Sequence, residues 1–336
     1  MNNLSVLGKY LDQPKLVKTF SQAVPGILVA GGSIYGLNHI KRTPENQRRK
    51  ETVKTISVLT ATIISALAAP KITSKIIKND CHHHHHDAKE LIEHFLKENK
   101  VSKQVEGILT KAKEKVLKFS EVKKVFEEFE NNPKGKTLLK ELIPEPHDID
   151  SNHIFKEDIP RLSVLGLFPV LGGITGGIIG DKLTEDNWKE RIPNKIKEGS
   201  YQYLANIFLC NVGAGLALLG IEKSNLKFKI KSNTTYKMIR AAGMVGGIVL
   251  TGLIFGSAIA NLFGKKVVDP LLGNRHAKNE SIYSERKPEA IDMGLHVDDI
   301  ATVAVLSGLK WIEPALPILY SISGYRAGIG YRNNNK

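Results

Sequence analysis

The chain has 336 residues, 42% of them hydrophobic and 24% charged, with a formal net charge of +14. That length allows two or so domains, and the charge suits an anionic partner, either a membrane surface or a nucleic acid. No zinc-finger spacing or RNA-binding aromatic motif accompanies it, so no nucleic-acid partner is expected, and two distant cysteines, Cys81 and Cys210, exclude a disulfide framework.

The mean hydropathy of −0.16 is ordinary for a water-soluble protein. The average misleads, because the charged residues are gathered between long uncharged runs. A cleavable secretory signal of the usual form is not expected at the start. Residues 1–20 place Leu4, Leu7 and Leu11 on one helical face with Lys9, Lys15 and Lys18 nearby, the pattern of an interfacial helix. Two uncharged runs follow, 19–38 and 55–70, joined by the basic connection KRTPENQRRKETVK. They predict a membrane hairpin over 21–70, with Gly31, Gly32 and Gly36 on the first helix.

Residues 71–160 read as a soluble helical insertion. It opens on Lys71, Lys75 and Lys78, then Cys81 and the run His82, His83, His84, His85, His86. Thiolate and imidazole are preferred ligands of zinc and similar divalent ions, and His94 lies two turns beyond. The competing reading is a polar loop that binds metal incidentally. Three apolar stripes follow at helical spacing: Leu91, Ile92, Phe95 and Leu96; Val101, Val105, Ile108, Leu109, Ala112 and Val116; Val122, Val125, Phe126 and Phe129. Residues 131–135 and 144–147 look like turns. So small a helical domain gains from docking on a protein partner, placed on residues 87–143. The stretch PKGKTLL ends like a phosphate-binding loop, but Glu130 stands where the opening glycine belongs, so nucleotide binding is rejected.

Residues 162–180, LSVLGLFPVLGGITGGIIG, carry no charge and approach the ~20 apolar residues that cross a bilayer as a helix. Gly172, Gly176 and Gly180 recur every fourth position, with Gly173 and Gly177 beside them. In water each glycine would weaken a helix by about 1 kcal/mol relative to alanine. In lipid such a face lets another backbone come close. Leu167, Val170, Leu171, Ile174 and Ile178 are left to meet lipid. With the uncharged run 199–221 this segment predicts a second hairpin over 161–222. A third, over 236–330, holds the run 241–264 with Gly246, Gly247, Gly252 and Gly256. Its last helix is expected to break at Pro314 and Pro317, which remove backbone donors. Lys310 and Glu313 near that break are the candidate intramembrane polar groups, because ionisable side chains in lipid are costly.

Sliding residues 29–54 onto 170–195 aligns Gly31, Gly32, Gly36, Lys41, Thr43, Asn46 and Lys54 with Gly172, Gly173, Gly177, Lys182, Thr184, Asn187 and Lys195. The polar matches carry most weight, since glycine-rich segments agree by composition alone, and they suggest a repeated hairpin. Loops on both sides of the runs are basic, so charge bias does not settle orientation.

The expected fold is all-α: a multi-pass integral membrane protein of glycine-packed helical hairpins with a small inserted helical domain. No serine, cysteine or carboxylate arrangement suggests catalysis. The expected role is a non-enzymatic membrane scaffold or membrane-shaping protein, in contact with lipids and with homo-oligomers open to it. The alternative is a small-solute or divalent-metal transporter, which requires a polar cavity at mid-depth.

Overall fold

The structure is a computed structural model that describes residues 14–77, 88–112, 119–129, 132–142, 151–224, 233–272, 286, 303 and 310–330. Every element among them is helical. The chain divides into two compact units, one of residues 1–23, 79–150 and 304–315, the other of residues 24–78, 151–303 and 316–336.

In the first unit, helices α3 (Ala88–Glu98), α4 (Lys103–Ala112), α5 (Phe119–Phe129) and α6 (Pro133–Leu142) share one apolar core. Ile92, Phe95, Val105, Ile108, Leu109, Val125, Phe126, Phe129 and Leu138 are buried in it. These are largely the apolar stripes of the sequence, turned toward each other because no single stripe can be hidden on its own helix. Phe95 and Phe129 meet edge to face, with ring centroids 5.3 Å apart. The expected turn at 131–135 is shorter than anticipated. Asn132 Oδ1 accepts the Gly135 N–H at 3.1 Å and so starts α6 already at Pro133.

The second unit is built from helical hairpins. Helix α1 (Pro14–Arg42) turns at Thr43–Pro44 into α2 (Glu45–Ile76). The extended backbone of Pro44 (φ −53°, ψ 146°) cannot prolong α1 but opens α2. Helix α7 (Ser151–Thr184) and helix α8 (Trp188–Lys223) form the next hairpin, and each carries one π-helical turn, at Ile154–Asp158 and Leu204–Phe208. Helix α9 (Asn233–Val249) runs through a π-helical stretch, Leu250–Gly256, into α10 (Ser257–Phe263). Thr251 Oγ1 donates to the Gly247 carbonyl there, and the axis bends by 44°.

Among the described residues, three helices are long and apolar enough to cross a membrane: α2, α7 and α8. The bent pair Met238–Gly252 and Ser257–Leu272 would make a fourth if it is one span. Helix α1, which holds the first uncharged run, falls outside that set. At ~1.5 Å per residue, α7 is roughly 50 Å long, more than the ~30 Å hydrocarbon core.

The last helix, α11 (Leu316–Ile329), is preceded by a 3₁₀ turn, Lys310–Ala315. Pro314 and Pro317 sit on either side of that junction, where missing donors are tolerated. Helix α11 ends at Gly330, whose φ of 75° favours glycine and whose N–H caps the Arg326 carbonyl at 3.0 Å.

Candidate functional site

Helix α7 is the centre of the second unit. It lies antiparallel to α2 on one side, and Gly172, Gly176 and Gly180 face α2 in turn. A Cβ on Gly176 would stand 2.9 Å from the Val58 Cα, and one on Gly180 would stand 2.9 Å from the Lys54 Cα. On another side α7 runs parallel to α11. There Gly173 faces the Gly324 carbonyl, Gly177 the Gly328 carbonyl, and Gly324 the Pro169 carbonyl, each too close for any side chain. A third neighbour, α8, seats Gly199 on Ile174. Val170 is therefore buried, not turned to lipid as the sequence suggested, whereas Leu171 stays 46% exposed.

The hairpin turns of α1–α2 and α7–α8 lie at the same end, and a cavity of about 730 Å³ opens between them. Gly177 and Gly328 line it, together with the side chains of Lys50, Lys54, Asp181, Glu185, Arg191 and Lys195. Asp181 is its deepest charge. Lys54 Nζ lies 3.7 Å from Asp181 Oδ1. Lys195 Nζ lies 2.9 Å from Oδ2, an ion pair. Nearer the mouth, Lys54 Nζ donates to Glu185 Oε1 at 2.6 Å, and Lys50 and Arg191 each stand 3.8 Å from the same carboxylate. Lys54 and Lys195 are one of the two lysine pairs that the 29–54 and 170–195 alignment superposes. Thr43 and Thr184, another aligned pair, each donate to the carbonyl four residues back.

The hydrogen bond from Lys54 holds the Glu185 carboxyl below its ordinary value of 4.5, helped by the charges of Lys54, Arg191 and Lys50 against the opposing effect of burial. The sign follows. The contribution to stability is complete above pH 4.5 and disappears as the pH falls through the depressed value. The melting temperature of the wild type is expected to fall more steeply on acidification below about pH 4.5 than that of Glu185→Gln. Parallel curves would show that Glu185 gains nothing from its three cations.

A second polar group runs along α8 into its middle. Lys195, Glu198, Gln202 and Asn206 recur at intervals of three and four, and all are buried. Asn206 donates to Gln202 at 2.8 Å and Gln202 donates to Glu198 at 2.8 Å. Arg286 closes on Glu198 through two bonds of 3.1 Å, lies over the Tyr201 ring at 4.3 Å, and has its own backbone held by the Asn261 side chain. Arg326 of α11 stands 3.8 Å from the same carboxylate. From Lys195 to Asn206 the row spans roughly 16 Å, half a hydrocarbon core.

The other glycines singled out in the sequence are placed unequally. Gly32 and Gly36 meet Ile63 and Leu59 of α2, at 3.1 and 2.8 Å from an added Cβ, while Gly31 and Gly246 face nothing within 4 Å. Gly247 abuts the Gly213 carbonyl of α8, a Cβ added to Gly256 would stand 3.2 Å from Ala205, and Gly252 is buried. Glu313 is half-buried within the Lys310–Ala315 turn of the first unit, and the Lys310 side chain lies outside what is described. Cys81 and the run His82–His86 lie outside the described residues. His94 is exposed on α3, 3.5 Å from Glu98. Among the described residues, no group of three or more histidine, cysteine, aspartate or glutamate side chains is arranged to hold a metal ion.

Asp181, Glu185, Lys195, Glu198, Arg286 and Arg326 were not anticipated as a site. The available signal was Glu198 and Lys195 standing three apart, immediately before an uncharged run. No known protein family, curated protein or solved structure matches the chain.

Proposed function

We propose that this chain is a multi-pass integral membrane protein that acts as a non-enzymatic scaffold, holding or shaping a bilayer and recruiting a protein partner through residues 87–143. The observation that carries the reading is the seating of α7 against α2 and α11 at backbone distance, with Gly173 and Gly177 set on Gly324 and Gly328. Helices joined in this way form a stiff wall, and tight small-residue contacts are what holds helices together where apolar burial supplies no drive. The cavity lies at the end of the helices, not at mid-depth. Placement in lipid is supported by large apolar side chains turned outward along the spans: Ile56 (55% exposed) and Ile64 (62%) on α2, Leu171 on α7 and Leu216 (53%) on α8.

A second reading, a small-solute or divalent-metal transporter, is favoured by the buried row Lys195, Glu198, Gln202 and Asn206, because polar side chains inside a span mark solute pathways. Reconstitution of the full chain into phosphatidylcholine vesicles tests both. The scaffold reading expects smaller or tubulated vesicles by electron cryomicroscopy and zinc entry no faster than into protein-free vesicles. Unaltered vesicle shape with accelerated zinc entry would replace it with the transporter reading.

A further inference from the structure

We propose that the turn between α1 and α2 is a docking surface for the anionic lipid headgroups of the leaflet it meets, an inference that rests on the placement of α2 in a membrane. Residues 41–50 read KRTPENQRRK, five cations against one carboxylate. All five cations, Lys41, Arg42, Arg48, Arg49 and Lys50, are exposed. The carboxylates that face them leave most of that charge unspent. Glu45 stands 3.7 Å from Arg48. Glu51 is held by His39 at 3.0 Å. Glu185 stands 3.8 Å from Lys50 but takes its hydrogen bond from Lys54. Among the described residues, no carboxylate lies within 4 Å of Lys41, Arg42 or Arg49.

Position identifies the partner. Large apolar side chains are turned outward on both helices next to the turn: Ile34 (70% exposed) and Leu37 (59%) on α1, and Ile56 (55%) on α2. Lys41 follows Leu37 by four residues, a rise of roughly 6 Å, and Lys50 precedes Ile56 by six, roughly 9 Å. Lipid that covers those side chains brings its headgroups within about one Debye length of the cations, ~8 Å at physiological ionic strength. Basic clusters directly beyond a span attract anionic lipid, each lysine or arginine adding to the effect. The turn between α7 and α8, at the same end, marks the same depth. Lys182 and Lys189 stand 5.8 and 5.7 Å from the centre of the Trp188 ring, and indole rings settle at the headgroup layer. That turn supplies an anchor and little net charge, because Lys182, Lys189 and Arg191 meet Glu185, Asp186 and Glu190.

The test reconstitutes the full chain into dioleoyl phosphatidylcholine vesicles that carry trace spin-labelled phosphatidylserine or spin-labelled phosphatidylcholine. Electron paramagnetic resonance reads the share of each probe immobilised at the protein surface. Wild type is expected to select phosphatidylserine over phosphatidylcholine about fivefold at low salt. The preference is expected to vanish in 1 M salt, where the Debye length is about 3 Å. The variant Lys41→Gln/Arg42→Gln/Arg48→Gln/Arg49→Gln is expected to lose most of the preference, with a melting temperature close to wild type. A variant that removes the same charge from exposed positions of the first unit, Lys97→Gln/Lys100→Gln/Lys103→Gln/Lys124→Gln, is expected to keep it. Equal immobilisation of the two probes by wild type, or equal losses in the two variants, overturns the proposal and leaves placement in the membrane standing. Failure of the chain to float with the vesicles, with neither probe immobilised, removes the membrane placement itself.

Discussion

Replacing Glu198 by alanine is expected to destabilise the folded chain by about 3–5 kcal/mol, the usual consequence of leaving a buried charge without its partner. Glu198 is 1% exposed and Arg286 6%. The carboxylate accepts two bonds from Arg286 and one from Gln202, and it faces Arg326. Alanine removes the negative charge and leaves the Arg286 guanidinium in a medium where its hydration cannot be replaced. The expectation is specific to breaking the pair. Glu198→Met/Arg286→Met removes both charges at similar volume and is expected to recover most of the loss, because a buried ion pair often does little better than apolar residues that fill the same space. A double-mutant cycle, followed by denaturation in detergent, measures the coupling directly. Glu198→Ala within 1 kcal/mol of wild type would mean that the pair is hydrated or dispensable.

The same pair shows what was legible in the sequence and what was not. The long uncharged runs at 162–180 and 199–221 located α7 and α8, because a helix that avoids water announces itself by composition. The runs did not locate their ends. Helix α8 begins at Trp188, eleven residues before its uncharged run, and the residues between include Lys195 and Glu198. Their charges are compensated by Asp181 and Arg286, one before the hairpin turn and one far down the chain. Charge compensation across that distance leaves no periodic trace. The glycine pattern was legible in the same partial way. Spacing identifies a face without side chains but not what covers it. Gly31 and Gly172 occupy aligned positions, yet Gly172 sits against Ala61 and Ser65 while Gly31 has nothing within 4 Å. The cavity was invisible for a third reason: its walls come from four helices whose adjacency is decided only by packing.

That difference between aligned glycines sets up the second large effect. Gly173→Ala is expected to destabilise the chain by about 3 kcal/mol, and Gly173→Ile by more. Overpacking costs roughly 1–3 kcal/mol where side chains can shift aside. Here the first atom added meets the Gly324 carbonyl, and backbone has no rotamer to escape into. Relief requires α11 to move away from α7, which also disturbs the contact of Gly324 on Pro169 and of Gly328 on Gly173. Gly31→Ala, in the same Gly-Gly motif of the aligned segment, is expected to be neutral or to stabilise by up to about 1 kcal/mol, since an alanine there gains helix propensity and meets no neighbour. Melting temperatures of the two alanine variants in one detergent provide the comparison. Similar shifts for both would mean that α7 and α11 are not in backbone contact in the folded protein, and the stiff three-helix wall on which the scaffold reading rests would go with it. A large loss at Gly173 with none at Gly31 is the pattern that a wall closed by backbone, not by side chains, must produce.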